Sequence, residues 1–130
     1  MNSRDLADKI TGYIFNKKGY DVRILDLQGL TTIADYFVIC SADSDTQVKA
    51  IADEVDKSLR DEGIKSWHKE GYRALYWVLL DYVDVVVHVF KKDAREYYKL
   101  EKLWGDAPSV DVEDPVLKSL LNAKAKTKKV

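Results

Sequence analysis

The sequence predicts an α+β domain, a mixed α/β arrangement in which a sheet of about five strands is packed with helices. Two observations predict it. The apolar pattern runs helix, strand, strand, helix, strand, strand, strand, helix, and the β runs LYWVLLDY and DVVVHVF are separated only by Val83, as in a tight hairpin. A hairpin pairs strands antiparallel, whereas a strand–helix–strand unit returns the chain by a crossover, so the two together imply a mixed sheet covered by helices.

Each element has its own signal. Leu6, Ile10, Tyr13 and Ile14 recur at helical spacing and predict a helix from Ser3 to Lys17, capped by Ser3 or Asp5, with Gly19 past its end. Val22, Ile24, Leu25 and Leu27 mark a strand within DVRILDLQGL, closed by Gly29. DYFVICSA, Asp35 to Ala42, is apolar almost throughout, which places it at the centre of the sheet. Ser44 and Gln47 stand at capping-box spacing before the stripe Val48, Ile51, Ala52, Val55 and Leu59, and Gly63 ends that helix. IKSWHKEGY reads as a short strand and turn ahead of the hairpin. Asp93 and Glu96 repeat the box spacing and open a third helix, DAREYYKLEKLWG, terminated by Gly105.

Residues 1–108 form the expected domain, and 109–130 an extension. Within the extension SVDVED is acidic and extended, and Asp114 before Pro115 starts a short amphipathic helix with Val116, Leu117, Leu120 and Leu121. NAKAKTKKV is a lysine-rich tail, either a solvated end or an electrostatic tether to RNA.

Composition narrows the function. The 130 residues carry 21 Lys and Arg against 22 Asp and Glu, without the basic excess of a protein held to nucleic acid by its phosphates. Direct DNA binding is therefore not expected. A single cysteine allows no intrachain disulfide and suits a reducing compartment, no apolar run is long enough to span a bilayer, and MNSRDLADKI lacks the features of a signal peptide. The expected setting is the cytoplasm.

The residue types that carry catalysis are poorly placed for it. Cys40 lies inside the apolar run FVICS, where a thiol is inert, and His68 and His88 stand alone. Asp43, Asp45 and Glu54 match three places of a calcium loop, but Val48 occupies the place that needs glycine. The glycines are scattered singly, so no phosphate cradle forms. Asp81 and Asp84, three apart across a turn, do not share a strand face, and Val86 offers no second acid for a two-metal site. No catalytic residue, metal or cofactor is expected, and the protein is not expected to be an enzyme. Aromatics instead gather at the end of the β region: Tyr72, Tyr76, Trp77, Tyr82 and Phe90, followed by Tyr97, Tyr98 and Trp104. Alternation puts Trp77, Leu79 and Asp81 on one face, and Val78, Leu80 and Tyr82 on the other. One face must pack on helices, which leaves the other as a second packed layer or a recognition surface.

Three segments, LDLQGLTTIADYFVICSADSDTQVKAIADEV, WVLLDYVDVVVHVF and EYYKLEKLWGDAP, resemble the hallmark segments of the ribosomal silencing factor, or Iojap, family. The resemblance runs from about Leu6 to Pro108. It implies a nucleotidyltransferase-like fold without catalytic acids, a homodimer when free, and binding to large-subunit ribosomal protein fourteen on the face that meets the small subunit. Such binding would block subunit association and repress translation under nutrient limitation. It also implies partner contacts around the hairpin, so Trp77 is expected as the interface anchor with Leu79 beside it, and Tyr82 and Asp84 as contacts or as shapers of the turn. The competing readings are a nucleotidyltransferase-type enzyme and an RNA-binding ribosome-assembly module. The chain departs from the family pattern at Val83 and Ala42, where glycine is usual. Valine at Val83 is costly if that position needs a positive φ.

Overall fold

Asn2 caps the first helix, in place of the expected Ser3 or Asp5: its side chain accepts the Asp5 backbone N–H at 2.8 Å, and α1 runs Ser3–Asn16. The structure is a computed structural model that describes residues 1–128, with side chains described through residue 124. Strand β1 spans Tyr20–Asp26 and stops short of Gly29, because the Asp26 carboxylate takes the Gln28 N–H and bends the chain. Strand β2, Tyr36–Ala42, is buried at every residue, as a central strand must be.

Helix α2, Asp45–Asp61, starts as its sequence signals, with Ser44 Oγ accepting the Gln47 N–H at 3.1 Å. The return arm of the box lands one residue early, on the Asp43 N–H, and the Gln47 amide also donates to the Lys17 and Lys18 carbonyls. One glutamine thus ties the start of α2 to the end of α1.

Strands β3 (His68–Glu70), β4 (Trp77–Asp81) and β5 (Val85–Lys91) follow. The expected third helix is two pieces, α3 (Lys92–Tyr98) and α4 (Leu100–Leu103), joined at Lys99, whose φ of 50° is left-handed. Strand β5 runs straight into α3, so Lys91 holds the cap position and Asp93 makes no capping bond. The break lets Glu101 fold back on Arg95, whose Nε and Nη2 reach its carboxylate at 2.7 and 3.1 Å. Arg95 Nη1 also donates to the Asp21 carbonyl and to Ser41 Oγ, pinning α3 and α4 to the sheet. These hydrogen bonds from Arg95 hold the Glu101 carboxyl below its usual range.

The acidic stretch after Pro108 is a sixth strand, β6 (Ser109–Val112), antiparallel to β1. Helix α5, Pro115–Lys128, is longer than expected and runs through much of the lysine-rich tail; Lys129 and Val130 lie outside the described residues. The sheet order is β3-β4-β5-β2-β1-β6, and only the β2–β5 pair is parallel. The fold is therefore the mixed α+β class expected, with one strand more.

The two faces are covered unequally. Helices α1 and α2 lay Ile10, Ile14, Ile51, Val55 and Leu59 over Val38, Leu80 and Val87. On the opposite face Leu25, Phe37, Ile39, Val86 and Phe90 cluster with Leu27, Ala34 and Ala107, and the cover that α3, α4 and the turn beyond supply, Ala94, Leu100 and Trp104, is itself partly exposed.

The β4–β5 turn is strained. Asp84 N–H donates to the Tyr82 carbonyl at 2.9 Å, and Val83 between them has φ 72°. That is a γ-turn of the rarer hand, imposed on a β-branched residue. Asp81 Oδ1 takes the Val83 N–H at 2.8 Å and holds it there. Val83→Gly should relieve about 1–2 kcal/mol of steric strain against roughly 0.5–1 kcal/mol of added unfolded-state entropy. A melting temperature raised by about 2 °C is expected; an unchanged or lower one would count against the strain.

Candidate functional site

On the face opposite α1 and α2 the β4 residues Trp77, Leu79 and Asp81 are partly exposed, while Val78 and Leu80 on the other are buried. The register sets Trp77 opposite Phe90 and Leu79 opposite His88. The Trp77 indole stacks on Phe90 at a centroid distance of 4.7 Å, and its Nε1–H donates to His88 Nδ1 at 3.1 Å. Outward from Trp77 the rings continue through Tyr98 at 5.1 Å to Tyr97 and Tyr76. Inward they continue from His88 to Phe37 at 4.5 Å, and from Phe37 to Trp104. A chain of aromatic contacts thus connects the solvent-facing Tyr97, 80% exposed, with the core.

Beside Trp77 lies a concavity of about 270 Å³ lined by Glu70, Gly71, Ala74, Tyr76, Trp77 and Leu79. Its floor depends on Gly71. That residue has φ 94°, and a Cβ built on it would sit 1.9 Å from the Trp77 carbonyl oxygen. Only glycine lets the β3–β4 connection lie this close to the strand that carries Trp77.

His88 is 3% exposed, as deeply buried as Ser41. Because Nδ1 accepts from Trp77, its proton sits on Nε2, which has no hydrogen-bond partner among the described residues. Burial pushes the imidazole down to about 3, so it stays neutral.

The four expected site residues divide. Trp77 and Leu79 are half-buried on the open face. Tyr82 is on the other face, buried under α2, and donates its O–H to Asp56 Oδ1 at 3.1 Å. The Asp56 carboxylate, itself buried, also receives Lys69 at 3.2 Å. Asp84 is exposed at the turn, where its carbonyl accepts the Asp35 and Tyr36 N–H groups. Sequence alone did not show the bond from Trp77 to His88, nor the need for Gly71. The first was within reach, since a hairpin centred on Val83 fixes the register that brings β4 and β5 together.

Other chemically capable residues are engaged elsewhere. Cys40 is fully buried, and burial pushes its thiol up to about 12. Asp43, Asp45 and Glu54 hold Tyr20, Lys91 and Asn16 respectively. Asp81 holds the turn. What the geometry offers is a rigid aromatic platform with a shallow recess, suited to receiving a protein surface.

The family model described as ribosomal silencing factor during starvation matches residues 1–130. A ribosomal silencing factor of Halalkalibacterium halodurans is 47% identical over 87% of this chain and 97% of its own length. One from Bacillus subtilis is 45% identical over 87% of this chain and 96% of its own. A solved structure of a Chromobacterium violaceum protein superposes with a TM-score of 0.79 at 35% identity, covering 81% of this chain and 88% of that one. Family model, relatives and fold coincide, and the chain belongs to the ribosomal silencing factor family.

Proposed function

We propose that this protein represses translation by seating its aromatic face on large-subunit ribosomal protein fourteen, so that the small subunit cannot dock. The observation that carries the reading is the face over β4, where the half-buried Trp77 is braced from below by Phe90, with Leu79 beside it and the exposed Tyr76, Tyr97 and Tyr98 around it. Rigid aromatics bury much area for little lost entropy, which is why they dominate protein interfaces. Tyr82 and Asp84 shape the hairpin that presents them. Mechanism is occupancy: a chain of this length has a radius of gyration of about 14 Å, enough to hold two flat bodies apart. A nucleotidyltransferase-like character of the fold, a homodimer in the free state and a cytoplasmic setting belong to the same proposal. Among the described residues no helix is long and apolar enough to cross a membrane.

Added to separated subunits, the protein should sediment with the large one and lower the yield of joined ribosomes. Sedimentation with the small subunit would overturn the reading. Trp77→Ala should weaken binding by about 2 kcal/mol, roughly thirtyfold. It should also lower folding stability by about 2 kcal/mol, half the cost of a fully buried tryptophan, because the stack on Phe90 is lost. Leu79→Ala separates the two effects, since the stack and the bond to His88 remain. Normal binding by both variants would remove this face from the interface.

A further inference from the structure

Charge is segregated along this chain. Residues 1–114 carry 16 Lys and Arg against 22 Asp and Glu, while residues 115–130 carry five lysines and no acid. A near-neutral protein is thus an acidic body with a basic helix attached. The attachment is defined: β6 fixes the chain to the sheet edge, and Asp114 turns it into α5 by accepting the Val116 N–H on Oδ1 and the Lys118 N–H on its carbonyl. Val116, Leu117 and Leu120 line a groove of about 340 Å³ with Phe15, Tyr20 and Val112, so the apolar stripe is turned towards the body while staying more than half exposed. The helix stands against the body without being buried in it.

We infer that α5 is an RNA-docking element that lies along the phosphate backbone of ribosomal RNA beside the protein contact. This rests on the function proposed above. An acidic body approaching a surface rich in phosphates is repelled, and five lysines on one short segment oppose that repulsion where the body meets RNA. The other occupants fit less well. A helix lying on a membrane inserts its apolar face, and in α5 Val116, Leu117 and Leu120 are turned towards the body instead. Pairing with α5 of a second copy would bring two sets of four like charges together.

The test compares the full chain with the variant K118Q/K124Q/K126Q/K128Q/K129Q, in which glutamine keeps helix propensity and removes the charge. Binding to purified large subunits is measured from 50 to 200 mM KCl. The full chain should lose affinity on the order of 100-fold across that range, and the variant less than tenfold, the shallow slope of an aromatic contact. Equal slopes would overturn the inference. A naked duplex fragment of ribosomal RNA is the second probe: the full chain should retard it at 50 mM KCl and the variant should not. If neither protein bound large subunits, the silencing reading would fail, and the duplex arm would still decide the role of α5. Failure to retard the duplex, tighter binding to phosphatidylserine vesicles than to RNA, or self-association lost in the variant would each reject RNA as the occupant.

Discussion

Between pH 7 and pH 4 the protein should lose about 3 kcal/mol of folding stability through His88 alone. The imidazole is held neutral at a depressed value of about 3, against 6.5 when exposed. Below pH 6.5 the unfolded chain takes up a proton that the folded one refuses. Stability therefore falls with pH, at close to 1.4 kcal/mol per unit, until the folded-state value is reached. The sign is that of a depressed pKa: full stability above 6.5, lost on acidification. Protonation would also place a hydrogen on Nδ1, where the Trp77 N–H now donates, so the acid form cannot keep that bond. Denaturant melts at a series of pH values, on the native chain and on His88→Asn, isolate the effect. Asparagine offers an acceptor but does not titrate, so its curve should be flatter by about 3 kcal/mol over the same range. Parallel curves would mean that His88 is hydrated or otherwise charged in the fold.

Gly71→Ala should destabilise the fold by about 3 kcal/mol. Two terms add: an alanine at φ 94° costs about 1–2 kcal/mol, and forcing a methyl into a packed contact costs typically 1–3 kcal/mol. The collision is with backbone, the Trp77 carbonyl and Val78 Cα, which cannot rotate away. Gly29→Ala supplies the comparison, because Gly29 has a similar φ of 84° with open space around its missing Cβ. The difference between the two urea midpoints reads the collision alone. If Gly71→Ala were no worse than Gly29→Ala, the close approach beneath Trp77 would be loose. Since the shift displaces the strand that carries Trp77, the proposed binding to the large subunit should fall as well.

The architecture was legible where one periodicity ruled a segment. Val48 to Leu59 showed its buried stripe, and FVICS its central strand. The strain at Val83 was also visible, because the family pattern has glycine there and valine is costly at the positive φ that the turn adopts. What stayed hidden depended on partners distant in sequence. Ser109–Val112 has no strong β pattern and is a strand only because the edge of β1 accepts it. The third helix breaks at Lys99 because Glu101 must reach Arg95, an interaction no local pattern reveals. At the site, alternation separated Trp77 and Leu79 from Tyr82, but could not tell which face the helices would leave open. That is decided by the lengths of α3 and α4, two short pieces where one long helix would have covered the sheet.

The pairing of β6 with β1 also orders events in time. Leu25 and Ser109, which meet across this edge pair, stand 84 positions apart in the chain. During synthesis β2 and α2 emerge soon after β1, but one edge of β1 keeps its backbone groups unpaired until most of the chain has been made. Closing so long a loop is entropically slow, and an open strand edge is a template for wrong partners. The flank of the sheet made first is thus sealed last, and the interval between the two is when a nascent copy is most exposed to pairing with its neighbour.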